Sequence, residues 1–439
     1  MPVKTDSYYE TMEKHLCELI RIPSVKSSPL PNAPFGLQTL QALEYMLNLG
    51  SSFGFTTKNL DGYAGYIAFE AEKPLPYVAA VCHLDVVPAG DWEDAFKAVI
   101  TDDKIIGRGS IDDKGPAMCC LFALKALKDS GYKPAVTIRL VLGLDEESGS
   151  DCMEYYSANE PAPLAAFTAD ADFPVIFAEK GNLHFSFSKQ RPTNESDLQS
   201  LVAGTKANVV PGYCTYTAKG QTHTVIGEPA HASTPWLGKN AISLAVQQLT
   251  TLPSINIERD SFINFFSKYF SATTDGSLLG IKCHDDLSGS LTCNAGVAEL
   301  NPQAWSLECD IRYPVTFRSE NIINVLEEVA AANECSFKVS SDSSPLIRDP
   351  SDPLVITLMD IYRQLTGEAE AKPIAIGGGT YARDVKNCIA FGPVFPGEEC
   401  ICHQTGEFAR RDTLKKAMNI YAEAFFRLSK EDSLNPTAL

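Results

Sequence analysis

The sequence predicts an α/β fold: a mostly parallel sheet built from both ends of the chain, carrying an inserted α+β lid domain. Three observations lead there. Short, nearly continuous apolar runs ending in polar residues alternate with helical stretches over the first 180 or so residues. From about Gly181 the pattern changes to strict apolar–polar alternation. From about Ser344 the helix-then-strand pattern returns. The expected boundaries are 1–183 with 344–439 for the α/β domain and 184–343 for the insertion, and 439 residues are too many for one typical core.

"MPVKTDSYYETMEKHLCELIRIP" reads as an amphipathic helix with Met12, Leu16, Leu19 and Ile20 on one face. It lacks the basic-then-apolar order of a leader peptide. "YVAAVCHLD", "VTIRLVLGLD" and "APLAAFTADAD" suit strands buried on both faces. Between the first two, "GPAMCCLFALKALKDSG" is a helix, with Pro116 in its first turn and Ser130-Gly131 at its end. In the insertion, "LHFSFSKQ", "YCTYTAKG", "THTVIGEP" and "WSLECDIRYP" are alternating strands. Helices fall around Asn240–Thr251 and Ser319–Asn333. "PLVITLMDIYRQLTG", the glycine loop "IGGGTYAR" and the helix "TLKKAMNIYAEAFFRLSKE" complete the chain.

A formal net charge of -18 repels phosphates and anionic headgroups, so neither nucleic acid nor membrane is an expected partner. No apolar run reaches the ~20 residues of a spanning helix. The 13 cysteines are scattered, with no zinc-ribbon or disulfide spacing, and read as buried thiols of a cytoplasmic protein. The adjacent Cys119 and Cys120 read as packing.

Chemistry-bearing residues gather where runs end. The apolar stretch Thr137–Leu144 stops in Asp145, Glu146 and Glu147, and like charges this close repel unless a cation sits among them. A solvated turn is the alternative reading. "CHLD" places His83 and Asp85 at one strand end, "GRGSIDDKGP" places Asp112 and Asp113 before a helix, and "TADAD" places Asp170 and Asp172 at another strand end. "CICHQTGE" sets His403 before the last helix. Ligands of open α/β sheets collect at the carboxyl ends of strands. Mixed imidazole and carboxylate donors suit zinc, and also manganese or cobalt. Arg312, at the end of an apolar strand, would either pair with nearby Asp310 or grip a carboxylate with two parallel bonds.

"HLDVVPAGDW", "GRGSIDDKGP", "DEESG", "DADFPVIFAEKG", "AHASTPWLGKNA", "DIRYP" and "CHQTGE", in that order, resemble the co-catalytic zinc peptidases that include aminoacylase, carnosinase and glutamate carboxypeptidase. "IRIPSV", "APFGLQTLQALEYML" and "NLDGYAGYIAFE" resemble the bacterial PepV-like dipeptidases within them. The resemblance implies two divalent ions: His83 and Asp170 on one, Glu147 and His403 on the other, Asp112 on both. It makes Asp85 the residue that orients His83, Glu146 the general base acting on a shared water, and the Asp112-Asp113 peptide bond cis. His231 and Asn208 would contact the scissile carbonyl. Arg312, helped by Gly378, Gly379 and Thr380, would hold the substrate carboxylate. Asp145 is left with a structural hydrogen-bonding role.

The expected activity is therefore metal-dependent hydrolysis of dipeptides. An N-acyl-amino-acid deacylase is the alternative on the same scaffold, and a silent binding protein is disfavoured because no ligand is missing. The insertion has little between Asn208 and His231. A monomer is expected, with a homodimer as the alternative.

Overall fold

The computed structural model describes residues 4–73, 75–192, 195–251, 259–271, 273–399 and 401–430. The chain divides into two compact units: Met1–Phe177 with Arg348–Ile374 and Thr380–Leu439, and Ala178–Ile347 with Ala375–Gly379. The stretch Ala375–Gly379, which the sequence reading placed with the C-terminal segment, groups with the second unit. Lys180 N donates to Ile376 O at 2.9 Å and Arg312 Nη1 to Gly377 O at 3.1 Å, and these bonds tie it there.

In the first unit, strands run in the order Thr56–Leu60, Ala64–Phe69, Thr137–Gly143, Tyr77–His83, Ala166–Thr168 and Cys388–Ala390. The last four are mutually parallel and the first two are antiparallel additions. Every residue of Tyr77–His83 and of Thr137–Gly143 is buried, as expected of strands covered on both faces. The helices Tyr9–Ile20, Lys114–Asp129 and Arg411–Leu428 belong to the same unit. Met12, Leu16, Leu19 and Ile20 are all buried, so the face read from the sequence is the core face. Pro116 sits in the first turn of Lys114–Asp129, and the helix stops at Ser130 with Gly131 at φ 80°.

The second unit holds an antiparallel sheet in the order Gln221–Ile226, Tyr213–Ala218, Leu198–Ala203, Thr292–Leu300, Ala304–Tyr313, Gly181–Gln190 and Ser336–Ser343. One face is apolar. Leu183, Phe185, Phe187, Trp305, Leu307 and Ile311 meet helix residues such as Phe262, Phe266 and Leu326 in a single core. The opposite face carries a polar block across three adjacent strands. Arg312 lies between Asn182 and Thr292, and Asp310 between His184 and Asn294. Period-2 alternation thus separates core from polar face along each strand.

Candidate metal centre

Strand ends bring the acidic motifs of the first unit together. His83 closes Tyr77–His83, Asp112 precedes the helix Lys114–Asp129, and Glu146 and Glu147 follow Thr137–Gly143. Two groups of possible ligands result: His83 with Asp112 and Asp170, and Asp112 with Glu147 and His403, the donor atoms of each lying within 4.8 Å of one another. Asp112 is common to both. Its Oδ1 lies 2.9 Å from His83 Nε2 and its Oδ2 lies 2.9 Å from His403 Nε2. Asp170 Oδ2 is 3.6 Å from His83 Nε2, and Glu147 Oε1 is 3.0 Å from His403 Nε2. The Asp112-Asp113 peptide bond is cis.

A hydrogen bond orients the first of the two histidines. His83 Nδ1 lies 2.9 Å from the Asp85 carbonyl oxygen. A carbonyl can only accept, so the Nδ1 proton is fixed and the Nε2 lone pair faces the carboxylates. Asp85 thus orients His83 first through its backbone; its Oδ1 is farther, at 3.5 Å. The Asp85 carboxylate instead accepts from Glu146 N and Glu147 N, each at 3.1 Å, and so fixes the turn that carries both glutamates. His403 adopts φ 65°, an uncommon backbone for a residue with a side chain.

Electrostatics mark the cluster as short of positive charge. Burial raises the Asp170 carboxyl and the Asp112 charge raises it further, to about 7. Burial and then Asp170 push Glu146 well above the usual carboxylate range, and burial and then Asp112 raise Glu147. Burial works against protonation of His403, but its hydrogen bonds to Asp112 and Glu147 win and take it to about 11. His83 is raised well above its ordinary value by Asp170, Asp112 and Asp85, again against burial. Burial opposes ionisation of Asp112, yet its bonds to both histidines hold its carboxyl far below the usual range. The carboxylates of this cluster thus outnumber its cations, a shortfall that bound metal ions would make up. The donors are imidazole nitrogen and carboxylate oxygen with no thiolate, a set that fits zinc, manganese or cobalt.

Asp145, the first of the three adjacent carboxylates, does not join them. It is fully buried, with Lys26 Nζ 2.7 Å from its Oδ1 and the Ser148 hydroxyl also donating to it.

The remaining site candidates have their own surroundings. Thr380, in the first unit, is buried and its Oγ1 accepts from Ala382 N at 3.1 Å. Asn208, His231, Arg312, Gly378 and Gly379 belong to the second unit. His231 is exposed, and Ser233 N donates to its Nδ1 at 3.2 Å. The Ser233 hydroxyl lies 2.7 Å from the same Nδ1, and with both groups donating to it the ring proton would sit on Nε2. Arg312 is buried, its Nε and Nη2 held by Asp310 at 2.8 and 2.9 Å and its Nη1 bonded to Gly377 O. Both readings of Arg312 are compatible with this: the inner edge pairs with Asp310, while the outer Nη1–Nη2 edge keeps one hydrogen on each nitrogen.

Several residues of the centre were given no role by the sequence reading. Asp113 Oδ2 accepts from His83 N at 3.0 Å. Tyr381 is fully buried, with its ring edge-on to His83 at 6.2 Å between centroids. It reaches so close to Gly143 that a Cβ there would stand 2.2 Å from its hydroxyl. Buried Glu407 accepts from Arg108 Nη1 at 2.6 Å and Gly109 N at 2.9 Å, joining the segment after His403 to the loop before Asp112. Only Asp113 and Glu407 carried a signal, as acidic neighbours of ligands within quoted motifs.

Residues 79–427 match peptidase family M20/M25/M40. The chain belongs to this family. As an M20 peptidase it is a peptide hydrolase. It is 36% identical over 94% of its length to "Putative dipeptidase YtjP" of Bacillus subtilis (strain 168), covering 96% of that protein. It is 33% identical over 98% of its length to a "Putative dipeptidase" of Staphylococcus epidermidis, covering 99% of that one. Among solved structures, human carnosine dipeptidase 1 matches with a TM-score of 0.60 at 14% identity, over 97% of both chains. The dipeptidase Dug1p of Saccharomyces cerevisiae matches with a TM-score of 0.62 at 15% identity, also over 97% of both. These two are likenesses of fold, and they agree with the mixed sheet of the first unit and the separate antiparallel sheet of the second.

Proposed function

We propose that this M20 peptidase is a metal-dependent dipeptidase with a two-ion centre bridged by Asp112. The observation that carries this is the placing of the two Asp112 oxygens, one toward His83 Nε2 and one toward His403 Nε2, each at 2.9 Å. His83 and Asp170 would complete one site, Glu147 and His403 the other, with zinc as the proposed ion and manganese or cobalt fitting the same donors. Bound there, two divalent ions would supply Lewis-acid polarisation of the substrate carbonyl and acidify a water.

The chain's own groups do the rest. Glu146, fixed by its backbone bond to Asp85, takes a proton from the attacking water and returns it to the leaving amine. His231, with its proton on Nε2, and Asn208 donate to the carbonyl oxygen as charge builds on it. Arg312 offers its outer edge to the substrate carboxylate, helped by Gly378, Gly379 and Thr380, which follow in sequence the Gly377 carbonyl that Arg312 bonds, and this restricts cleavage to peptides that end there. The names of the relatives support the dipeptide reading. Among the described residues no helix is long and apolar enough to cross a membrane, and the cysteine spacing of the sequence, with no disulfide framework, supports a reducing, cytoplasmic setting.

A substrate panel on zinc-loaded protein tests this. Free dipeptides should be hydrolysed, N-acetyl amino acids only slowly. C-terminally amidated dipeptides should lose about 1.5–3 kcal/mol of transition-state binding, the worth of charge-assisted hydrogen bonds to the outer edge of Arg312, whose inner edge stays paired with Asp310. Preference for N-acetyl amino acids would make the chain a deacylase. Amidated dipeptides cleaved as fast as free ones would remove Arg312 from the site.

A further inference from the structure

We propose that Thr292 and Asn294 are positioning residues that hold the loops bearing His231 and Asn208 as one unit; the inference rests on the substrate roles proposed for those two residues. The two loops are first bonded to each other. Val209 and His231 form an isolated antiparallel bridge, with Val210 N donating to Ala230 O at 2.8 Å and Ala232 N to Asn208 O at 2.9 Å. Neither loop is part of the large sheet. Two side chains from one strand, Thr292–Leu300, bond the pair to it.

Asn294 Nδ2 donates to Ala207 O at 2.9 Å and to Val209 O at 3.0 Å, the carbonyls on either side of Asn208. Thr292 Oγ1 donates to Ala232 O at 3.2 Å, next to His231. Both side chains are buried, at 2% and 3% exposure, in the polar block with Asp310 and Arg312. Burying an amide and a hydroxyl on a sheet face is unfavourable unless both find partners, and the partners they find are loop carbonyls flanking the two substrate residues. The same block holds Arg312 through Asp310, itself 2.6 Å from His184 Nε2. Gly296, two residues beyond Asn294, adds a steric requirement: a Cβ there would stand 2.3 Å from Ala207 O. Two adjacent strands, Thr292–Leu300 and Ala304–Tyr313, therefore set the distance between the carbonyl-directed groups and the carboxylate-directed arginine.

The test uses the full zinc-loaded chain and four variants: Thr292→Val, Thr292→Ser, Asn294→Leu and Asn208→Ala. Thr292→Val and Asn294→Leu should keep their bound zinc, since the candidate ligands lie in the other unit. Each should lower kcat/KM for a dipeptide by up to about 100-fold, the loss from one misplaced donor at a reacting oxygen. Thr292→Ser, which keeps the hydroxyl, should restore most of it. Adding Asn208→Ala to Asn294→Leu should cost little more than the larger single loss, because both act through one contact. Hydrogen exchange supplies a readout without substrate: the Val210 and Ala232 amides should exchange faster in Asn294→Leu than in the parent chain. Unchanged exchange, or additive losses with full activity in Thr292→Val, would overturn the proposal. A parent chain that exchanges as expected but hydrolyses no dipeptide would instead overturn the dipeptidase reading and leave the positioning role standing.

Discussion

Asp310 and Asp260 in the second unit are fully buried, and each faces an arginine. Asp310 takes Nε and Nη2 of Arg312; Asp260 takes Arg191 Nη2 at 2.6 Å and caps the helix Ser261–Tyr269 by accepting from Ile263 N at 3.0 Å. In the first unit Asp112, Glu146, Glu147 and Asp170 converge on two histidines, and none of them pairs with a lysine or arginine among the described residues. The same residue type is used in opposite ways. Where each negative charge has a fixed cation, it closes a fold. Where several share too little positive charge, folding alone does not account for them, and the proposed metal ions would supply what is lacking. Asp145 makes the point within one tripeptide: Lys26 and Ser148 both donate to its Oδ1, and it stands apart from the centre that its two neighbours join.

The largest expected effect separates chemistry from charge balance. Glu146→Gln keeps size and removes the proton acceptor, so bound metal should persist while kcat falls by about 10³–10⁴-fold, as for loss of a well-placed base. Metal analysis alongside single-turnover rates checks this. More than about a tenth of the activity remaining would place the base elsewhere.

Next comes the paired side of the comparison. Asp260→Ala removes one of the two carboxylates on Arg191, leaving Glu195 on its Nε at 3.0 Å, and uncaps a helix, so urea unfolding should show a loss of about 2–4 kcal/mol, a charged hydrogen bond plus a cap. The folded fraction should keep its kcat. A loss below about 1 kcal/mol would mean that buried pairing in the second unit contributes little.

The smallest effect has the opposite sign. In metal-free protein, Asp170→Asn removes one charge from a self-repelling group, so stability should rise by about 1 kcal/mol or more, even as metal binding is lost. Destabilisation on unfolding of the metal-free variant would show that the carboxylates are already satisfied.

The two halves of this contrast were not equally legible. The strand ends carrying His83, Glu146 and Asp170 could be read because a buried strand writes itself as an unbroken apolar run, and the polar residue that ends it is conspicuous. The face Met12, Leu16, Leu19 and Ile20 followed from helical spacing alone. Lys26 beside Asp145, Tyr381 against His83, and Asn294 under Asn208 join residues far apart in sequence, and nothing local marks them. Ala375–Gly379 has no periodicity, so its place with the second unit rests on backbone bonds that only the folded chain displays.

Zinc titration of metal-stripped protein, followed by calorimetry and elemental analysis, tests the two-ion centre most directly. The parent chain should take up two ions per chain, with activity returning as the second site fills, and Asp112→Ala should bind neither tightly, because one carboxylate serves both sites. A single ion in fully active protein, or Asp112→Ala retaining two, would contradict it.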